Sequence, residues 1–395
     1  MDTIGCSCDE RMWRHQVTRR RLLQVTGSAA LGLVTLPGHK AAGRQATPAA
    51  TPAAEGRVLL EGGVVLINGS YVSPLVERFG DVEIGRHSFI ASNTILYAAE
   101  GQIVSLGDEN NVQDNVYLLA RADDLRFANM VSIAHQAVIE SSVVGDFTFF
   151  GFRSRTRDCQ VGEGTMIMHN TVVEGVVIPP NRITPMGARI TTQEDADALP
   201  KLTEVNEEFK HEVQEVNLEF AAQYSTLYEE LGRSGVEGVG SNPPTSWNPD
   251  RIDPQIGDGT VLAELVRIVG DVRLGEESTV GQRSAIRADE GTPIVIGRRA
   301  RIQSRVTFHA LLGTRIDVGE NAQIGDGNVI HGPVAIGDNF VSEDDCVVFR
   351  ATVEDNVTVR SGATIAGELT LREGTIVPEG AVVTTQDEAD ALPRR

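Results

Sequence analysis

Three histidines and one glutamate stand out in this sequence because of their spacing. His309 and His331 are 22 residues apart, and Glu290 precedes His309 by 19 residues. Gln113 and His135 are also 22 residues apart. Neutral imidazoles bind divalent metals, and carboxylates placed beside a reacting group transfer protons. Chemistry of this kind requires a fold that brings residues about 20 positions apart to one edge.

A six-residue hydrophobic repeat predicts such a fold. Six is neither the helical period of 3.6 nor the period of two of a simple strand. It is typical of a triangular parallel β-helix, here called a prism, in which three six-residue faces close one turn and each turn packs on the next. One turn of 18 residues plus a short insert places His309 with His331, and Gln113 with His135. The repeat is carried in the second half of the chain by Ile268, Leu274, Val280 and Ile286, and in the first half by Ile84, Ile90 and Leu96.

The two halves are copies of each other at an offset near 190 residues. Residues 191–200 are TTQEDADALP, and residues 384–393 are TTQDEADALP. Between the copies, apolar residues from Leu202 to Leu231 recur at steps of three or four, which predicts a long helix packed on the outside of a prism. We place the first prism at 57–200, the helix at 201–231, a hinge at 232–241 and the second prism at 242–395.

The start of the chain has the pattern of an export signal. Residues 18–23, TRRRLL, contain a twin-arginine motif, and the weakly apolar run at 25–37 is too short to span a membrane. We predict a twin-arginine signal over 1–45 and an Ala/Thr/Pro linker over 46–56, with a periplasmic, extracellular or cell-surface location. No membrane span is expected. Cys159 and Cys346 follow the signal, and separate buried thiols are favoured over a disulfide.

Charge argues against a nucleic-acid partner. The chain has 35 basic and 55 acidic residues, and residues 1–50 hold seven of the basic and three of the acidic ones. The remainder therefore has a net charge of −24, whereas binding to a phosphate backbone needs basic surface.

Several motifs together resemble the gamma-class carbonic anhydrases. The resemblance covers about 330 residues, and it implies two tandem left-handed parallel β-helix domains, so the predicted fold class is all-β with a long helix after the first domain. In this family, three histidines hold a divalent metal between neighbouring prisms, and the metal makes hydroxide available to attack carbon dioxide. The motifs are SWNP at 246–249, IRADEGTPI at 286–294, FHAL at 308–311 and IHGP at 330–333, with NVQD at 111–114 and SIAHQ at 132–136 in the first copy.

The resemblance divides the three metal histidines between the two copies. The family's first ligand falls on His309 in the second copy but on Leu119 in the first. Its last ligand falls on His331 in the second copy but on Glu140 in the first. The ligand that a neighbouring prism supplies falls on His135 in the first copy, and on Asp326 in the second. The two copies together therefore hold one complete set.

Other site residues follow from the same resemblance. The family's interface salt bridge falls on Arg287, Asp289 and Asp114, and Gln113 takes the position of a glutamine near the metal. The helix asparagine falls on Asn217. Some members carry a proton-shuttling glutamate where this chain has Leu312, so Glu290 becomes the candidate for proton transfer, with an interface ion pair as its alternative role. The remaining histidines considered, His87, His169 and His211, are expected to be solvated turn residues.

The predicted function is reversible hydration of carbon dioxide to bicarbonate, with zinc or iron as the cofactor because three imidazoles suit both metals. A catalytically inactive scaffold or binding protein is the alternative, and a hexapeptide acyltransferase is a weaker one. Because two prisms do not fill a ring of three, we expect a homo-oligomer, most simply three chains. If each ring of three prisms contains both first and second copies, the oligomer should hold fewer complete metal sites than chains.

Overall fold

The computed structural model describes residues 69–395, so the predicted signal and linker lie outside the described residues. The first copy is a prism of three parallel sheets, as predicted. Successive coils pair in register, with Asn111 beside Ser132 and Tyr117 beside Val138. One sheet, here called the site sheet of the first prism, has strands Tyr71–Val72, Phe89–Ile90, Asn111–Val112, Ser132–Ile133, Phe149–Phe150 and Met166–Ile167. The second has strands Glu77–Phe79, Ile95–Ala98, Tyr117–Ala120, Val138–Glu140, Arg155–Arg157, Val172–Glu174 and Arg189–Ile190, and the third has Asp81–Ile84, Ile103–Leu106, Leu125–Phe127, Val143–Val144, Gln160–Val161 and Val177–Ile178.

The second copy is also a left-handed parallel β-helix, but two of its faces merge into one sheet. The long strands Val347–Val353 and Thr364–Leu371 run around a corner and join the two faces. One face, here called the site face of the second prism, has Val239–Gly240, Arg267–Gly270, Ala285–Ala288, Thr307–Ala310, Val329–Gly332 and Val382–Val383, and the other has Gln255–Ile256, Val272–Leu274, Ile294–Ile296, Ile316–Val318 and Val334–Ile336. The separate sheet has Val261–Leu262, Thr279–Val280, Arg301–Ile302, Gln323–Ile324, Val341–Ser342, Thr358–Val359 and Ile376–Val377.

Aliphatic side chains fill both prisms because each coil is narrow. The residues of the six-residue repeat point inward and are buried, as Ile90, Leu118, Ile286 and Ile330 show at 0% exposure. Each prism therefore has its own core of stacked Val, Ile, Leu and Ala. Burial of apolar surface contributes about 25 cal/mol per Å², so this repeated stacking stabilises each prism.

Helices are few among the described residues. The short helices α1 (Gln193–Asp197) and α4 (Gln386–Asp390) close equivalent points of the two copies, and α3 (Arg233–Val236) follows the long helix α2 (Glu204–Leu231). Thr203 starts α2 with a capping box to Asn206. In the part of the chain that the structure describes, no helix is both long enough and apolar enough to cross a membrane.

Amide side chains join the two prisms along one corner. Asn93 donates to the carbonyl oxygens of Leu265 and Arg283 at 3.1 and 3.2 Å. Gln136 donates to Arg305 O at 2.7 Å, and Asn170 repeats the contact further along, on Gly362 O at 2.9 Å. All three donors lie at corners with left-handed backbone (φ near 60°), a conformation that asparagine, the residue at two of them, adopts more readily than most side chains. This ladder sets the register in which the two prisms face each other.

Candidate metal site between the two prisms

Three buried histidines meet where the site sheet of the first prism faces the site face of the second. His309 and His331 lie side by side on adjacent strands of the second prism, and His135 approaches them from the first. One ligand atom of each lies within 4.8 Å of the others, and each of the three residues is at most 3% exposed. Nothing else in the described part of the chain forms such a group of three.

The partners of each imidazole determine which nitrogen faces the centre. His135 turns Nδ1 toward Asp114 Oδ2 at 3.4 Å, and His309 turns Nε2 toward Asp289 Oδ1 at 3.2 Å. The outward nitrogen of His331 is Nδ1, 3.3 Å from Gly332 O. Because carboxylate and carbonyl oxygens only accept hydrogen bonds, these outward nitrogens carry the protons. His135 Nε2 and His309 Nδ1 then present lone pairs to each other at 3.3 Å, and a cation between them would satisfy both.

Burial keeps two of these rings neutral. Desolvation lowers the pKa of His135 to about 4, although Asp114 opposes the shift. Desolvation and the neighbouring histidines hold the pKa of His331 well below its ordinary value. Metals bind the neutral form of imidazole, so the donor set suits a divalent ion at neutral pH.

Arg287 balances two buried carboxylates beside the cluster. Its Nε lies 3.2 Å from Asp114 Oδ2 of the first prism and 3.7 Å from Asp289 Oδ2 of its own prism. Burial alone would raise the pKa of both aspartates, but the guanidinium holds them below their ordinary range. The three residues assigned to an interface salt bridge therefore lie together, and they span the two prisms.

Helix α2 contributes the amide predicted from the sequence. Asn217 Oδ1 accepts a hydrogen bond from Gln113 Nε2 at 2.7 Å, while Gln113 Oε1 accepts from Arg287 Nη2 at 2.9 Å. The chain of contacts thus runs from the helix through the first prism to the second.

The register of the first prism differs from the spacing of 22 residues that was expected to align Gln113 with His135. Paired residues on adjacent coils are 21 positions apart here, so His135 lies beside Asp114 rather than beside Gln113. Both Gln113 and His135 nevertheless line the same cavity.

Glu290 lies at the edge of the cluster. Its Oε2 is 3.8 Å from His309 Nε2, and its Oε1 accepts the Leu312 N–H at 2.8 Å. Burial raises the pKa of this carboxyl, which His309 partly opposes. The short loop that contains Leu312 therefore holds Glu290 in place.

The cluster opens into a cavity of about 550 Å³ between the prisms and α2. Carbon-rich side chains form most of its wall, including Phe149, Phe152, Phe209, Leu311 and Phe349, and charged residues such as Glu212 and Arg315 also line it. An apolar cavity of this size readily admits a small neutral molecule.

The expectation that His169 is a solvated turn residue is wrong. His169 is 2% exposed and lines the cavity. His87 is exposed at a turn as predicted, whereas His211 is exposed but lies within helix α2 rather than at a turn. Its ring stacks on Phe152 with centroids 4.4 Å apart, and Phe152 stacks on His331 at 4.7 Å. His169 Nδ1 accepts the Phe152 N–H at 3.0 Å, so this imidazole is held by packing against the first prism rather than by water.

The expectation of fewer complete sites than chains is also wrong. His135, His309 and His331 come together within one chain because the second prism folds back on the first. Each chain therefore carries a complete set. The positions that have no metal-binding histidine are not part of this cluster. Leu119 pairs with Glu140 on adjacent strands of the first prism, as His309 pairs with His331 in the second. Asp326 binds the Ser304 N–H at 2.7 Å.

Two contacts to Asp289 went unrecognised in the sequence. The Tyr224 hydroxyl donates to Asp289 Oδ2, and Trp247 Nε1 donates to the Asp289 carbonyl oxygen at 2.9 Å. Tyr224 lies in the apolar stripe of α2, where a tyrosine is usually core. The signal that could have identified Tyr224 is that a tyrosine hydroxyl buried in a core needs a hydrogen-bond partner.

Known proteins with similar sequences include carbonic anhydrases. The "Carbonic anhydrase" of Methanosarcina thermophila is 30% identical over 184 residues, which cover 42% of this chain and 74% of that protein. "Gamma carbonic anhydrase 1, mitochondrial" of Arabidopsis thaliana is 29% identical and covers 42% of this chain and 56% of that protein. "Carboxysome assembly protein CcmM" of Nostoc sp. is 33% identical over 167 residues, which cover 39% of this chain but only 30% of that protein.

A solved structure of a putative acetyltransferase from Bacillus cereus is 22% identical, with a TM-score of 0.33 over 40% of this chain and 91% of that chain. No family model matches the sequence.

Proposed function

This chain belongs to the gamma-class carbonic anhydrase family, and we propose that it is a metal-dependent enzyme that interconverts carbon dioxide and bicarbonate. The observation that carries this proposal is the set of three buried histidines at the junction of the prisms. An oxygen atom lies 3.2 to 3.4 Å from one nitrogen of each ring, which leaves the other nitrogen to face a common point, as a metal site requires.

His135, His309 and His331 would hold the ion. A divalent metal in a three-histidine site acts as a Lewis acid that makes hydroxide available near neutral pH. Zinc and iron both suit three imidazoles, so the ligands alone do not select between them.

Glu290 would accept the proton that hydration of carbon dioxide releases. Its carboxyl lines the cavity, lies beside His309 and is oriented by the Leu312 N–H. Burial raises the pKa of this carboxyl, which makes it a stronger proton acceptor than a solvated glutamate.

The cavity wall suits the substrate. Carbon dioxide is small, uncharged and has no net dipole, so aromatic and aliphatic walls admit it at a much lower desolvation cost than an ion. Gln113 and Asn217 border the same cavity and are fixed by the hydrogen bond between them. They would orient the polar product at the inner end.

Metal analysis combined with stopped-flow carbon dioxide hydration on the mature protein tests the proposal. We expect one metal per chain and hydration that His309→Ala abolishes, with His211→Ala as a control on an exposed histidine. Protein that holds no metal and shows no hydration would contradict it.

A non-catalytic assembly or binding role is the second candidate. It is favoured by the lost ligands at Leu119, Glu140 and Asp326, and by the similarity to carboxysome assembly proteins. Full metal occupancy without hydration activity would support this role over the enzyme.

A further inference from the structure

We propose that Tyr224 is a positioning residue for the metal site: through Asp289, its hydroxyl holds His309 in the tautomer and orientation that a metal requires. The inference rests on the proposed function. It assigns a role to the helix between the copies, because Tyr224 lies on α2 whereas Asp289 and His309 belong to the second prism.

The contacts form an unbroken buried chain. The Tyr224 hydroxyl donates to Asp289 Oδ2, and Asp289 Oδ1 lies 3.2 Å from His309 Nε2. Tyr224 is 3% exposed and Asp289 is 0% exposed, so water does not replace either contact. The two carboxylate oxygens therefore serve different donors, one on the helix and one on the histidine.

These contacts determine which nitrogen of the His309 ring carries the proton. A carboxylate accepts hydrogen bonds only, so the Nε2 atom that faces Asp289 must carry the proton. Arg287 Nη2 also lies 3.4 Å from Nε2 and would donate to that nitrogen if it carried no proton, but the Asp289 oxygen is nearer, at 3.2 Å, and can only accept. In the neutral ring, the form that binds a metal, Nδ1 is then unprotonated, and it is the nitrogen that faces His135 Nε2 at 3.3 Å.

Asp289 needs Tyr224 because a competing partner lies nearby. Arg287 Nε is 3.7 Å from Asp289 Oδ2, the oxygen that Tyr224 engages. Without the hydroxyl, rotation of the carboxylate toward Arg287 would shorten that ion pair and draw Oδ1 away from His309. The tyrosine hydroxyl thus keeps the second oxygen aimed at the imidazole.

Aromatic packing holds the hydroxyl in place. The Tyr224 ring lies against Tyr71 and Phe89 of the first prism, with centroids 5.1 and 5.5 Å apart, and against Phe220 of its own helix at 5.8 Å. The first prism therefore contacts His309 of the second prism in two ways. His135 faces it directly, and the aromatic cluster holds Tyr224, which contacts it through Asp289.

Zinc affinity and histidine NMR of the mature chain test the inference. For Tyr224→Phe we expect the zinc dissociation constant, measured by competition with a chelator, to rise about tenfold, as for other outer-shell partners. In the metal-free protein, ¹⁵N shifts of His309 should report Nε2–H in the wild type and a mixture of tautomers in the variant. Asp289→Asn should weaken zinc binding at least as much, and adding Tyr224→Phe to it should cause little further loss.

Tyr71→Phe is the matched control, because it removes a buried hydroxyl from the same aromatic cluster without touching Asp289. An equal loss of zinc affinity in Tyr71→Phe would mean a packing effect and would overturn the inference. Wild-type zinc affinity and an unchanged His309 tautomer in Tyr224→Phe would overturn it as well. If the wild type binds neither zinc nor iron, the proposed function fails, and the His309 tautomer alone decides the role of Tyr224.

Discussion

At the scale of residues, each metal ligand has a counterpart in the other copy where the ligand is lost. His309 and His331 pair across adjacent strands, and Leu119 and Glu140 pair in the same way in the first prism. The two faces have therefore diverged for different tasks. Only the face of the second prism is directed at His135.

We predict that the metal needs all three histidines. His135→Ala, His309→Ala and His331→Ala should each lose the metal after dialysis, because two imidazoles leave the ion with too few protein ligands. His211→Ala, on an exposed histidine, should retain it. Full occupancy in His135→Ala together with loss in His309→Ala would contradict a site shared between the prisms.

We predict that His169 makes the protein sensitive to acid. Burial lowers its pKa from 6.5 to about 3, so its contribution to stability is present above pH 6.5 and is lost as the pH falls toward 3. His169→Asn keeps an acceptor for the Phe152 N–H but does not titrate. Between pH 6 and 4, its free energy of unfolding should fall less steeply than that of the wild type, by up to about 1.4 kcal/mol per pH unit.

Urea unfolding of metal-free protein at several pH values measures that slope. His87→Asn, on an exposed turn histidine, should leave the slope unchanged. A wild-type slope in His169→Asn would show that the imidazole is not held neutral.

At the scale of elements, helix α2 is anchored on the first prism by a buried lysine. Lys210 Nζ donates to Gly164 O at 2.6 Å and to Phe147 O at 3.2 Å, and it pairs with Glu207 at 3.0 Å. The same helix carries Asn217 and Tyr224, so its attachment positions two contacts of the metal site.

Lys210→Met should lower the free energy of unfolding by about 2 kcal/mol, because two buried carbonyl oxygens lose their donor. Lys201→Met, on an exposed lysine before the helix, should change it little. Equal stability of the two variants in urea unfolding would refute the anchoring role of Lys210.

The predicted signal is an element outside the described residues. We propose export by the twin-arginine route, on the evidence of the motif at 18–23. Replacing Arg19 and Arg20 with Lys should leave the protein in the cytoplasm, as cell fractionation would detect. Unchanged export of this variant would contradict the proposal.

At the scale of the whole molecule, tandem duplication places a complete ligand set in one chain. We predict one metal per chain at both micromolar and hundred-micromolar protein, because no second chain is needed to complete the set. Metal analysis after gel filtration at both concentrations tests this. Occupancy that falls on dilution, or one metal for every three chains, would contradict it.

Association of chains remains a prediction. Apolar side chains such as Phe79 (48% exposed) and Val261 (62% exposed) lie on faces of the prisms that remain partly exposed in the single chain. Such faces favour burial against a further copy, and mass in solution would test for three chains.

The sequence by itself determined the repeat, and with it the fold. Side chains that recur every six residues can be buried together only in a narrow coil, so Ile90 and Ile286 were predictable core residues without any structure. The duplication and the division of three histidines between copies were visible for the same reason, since both depend on spacing along the chain.

Only the tertiary structure decided which face of each prism packs against the other prism. Spacing along a coil says nothing about contacts between prisms, and these depend on side chains distant in sequence, such as Asn93 with Leu265. This arrangement brought His135 to His309 within one chain, buried His169 behind Phe152 and directed Tyr224 at Asp289. The physical reason is that each of these residues meets its partner across an interface that no local pattern encodes.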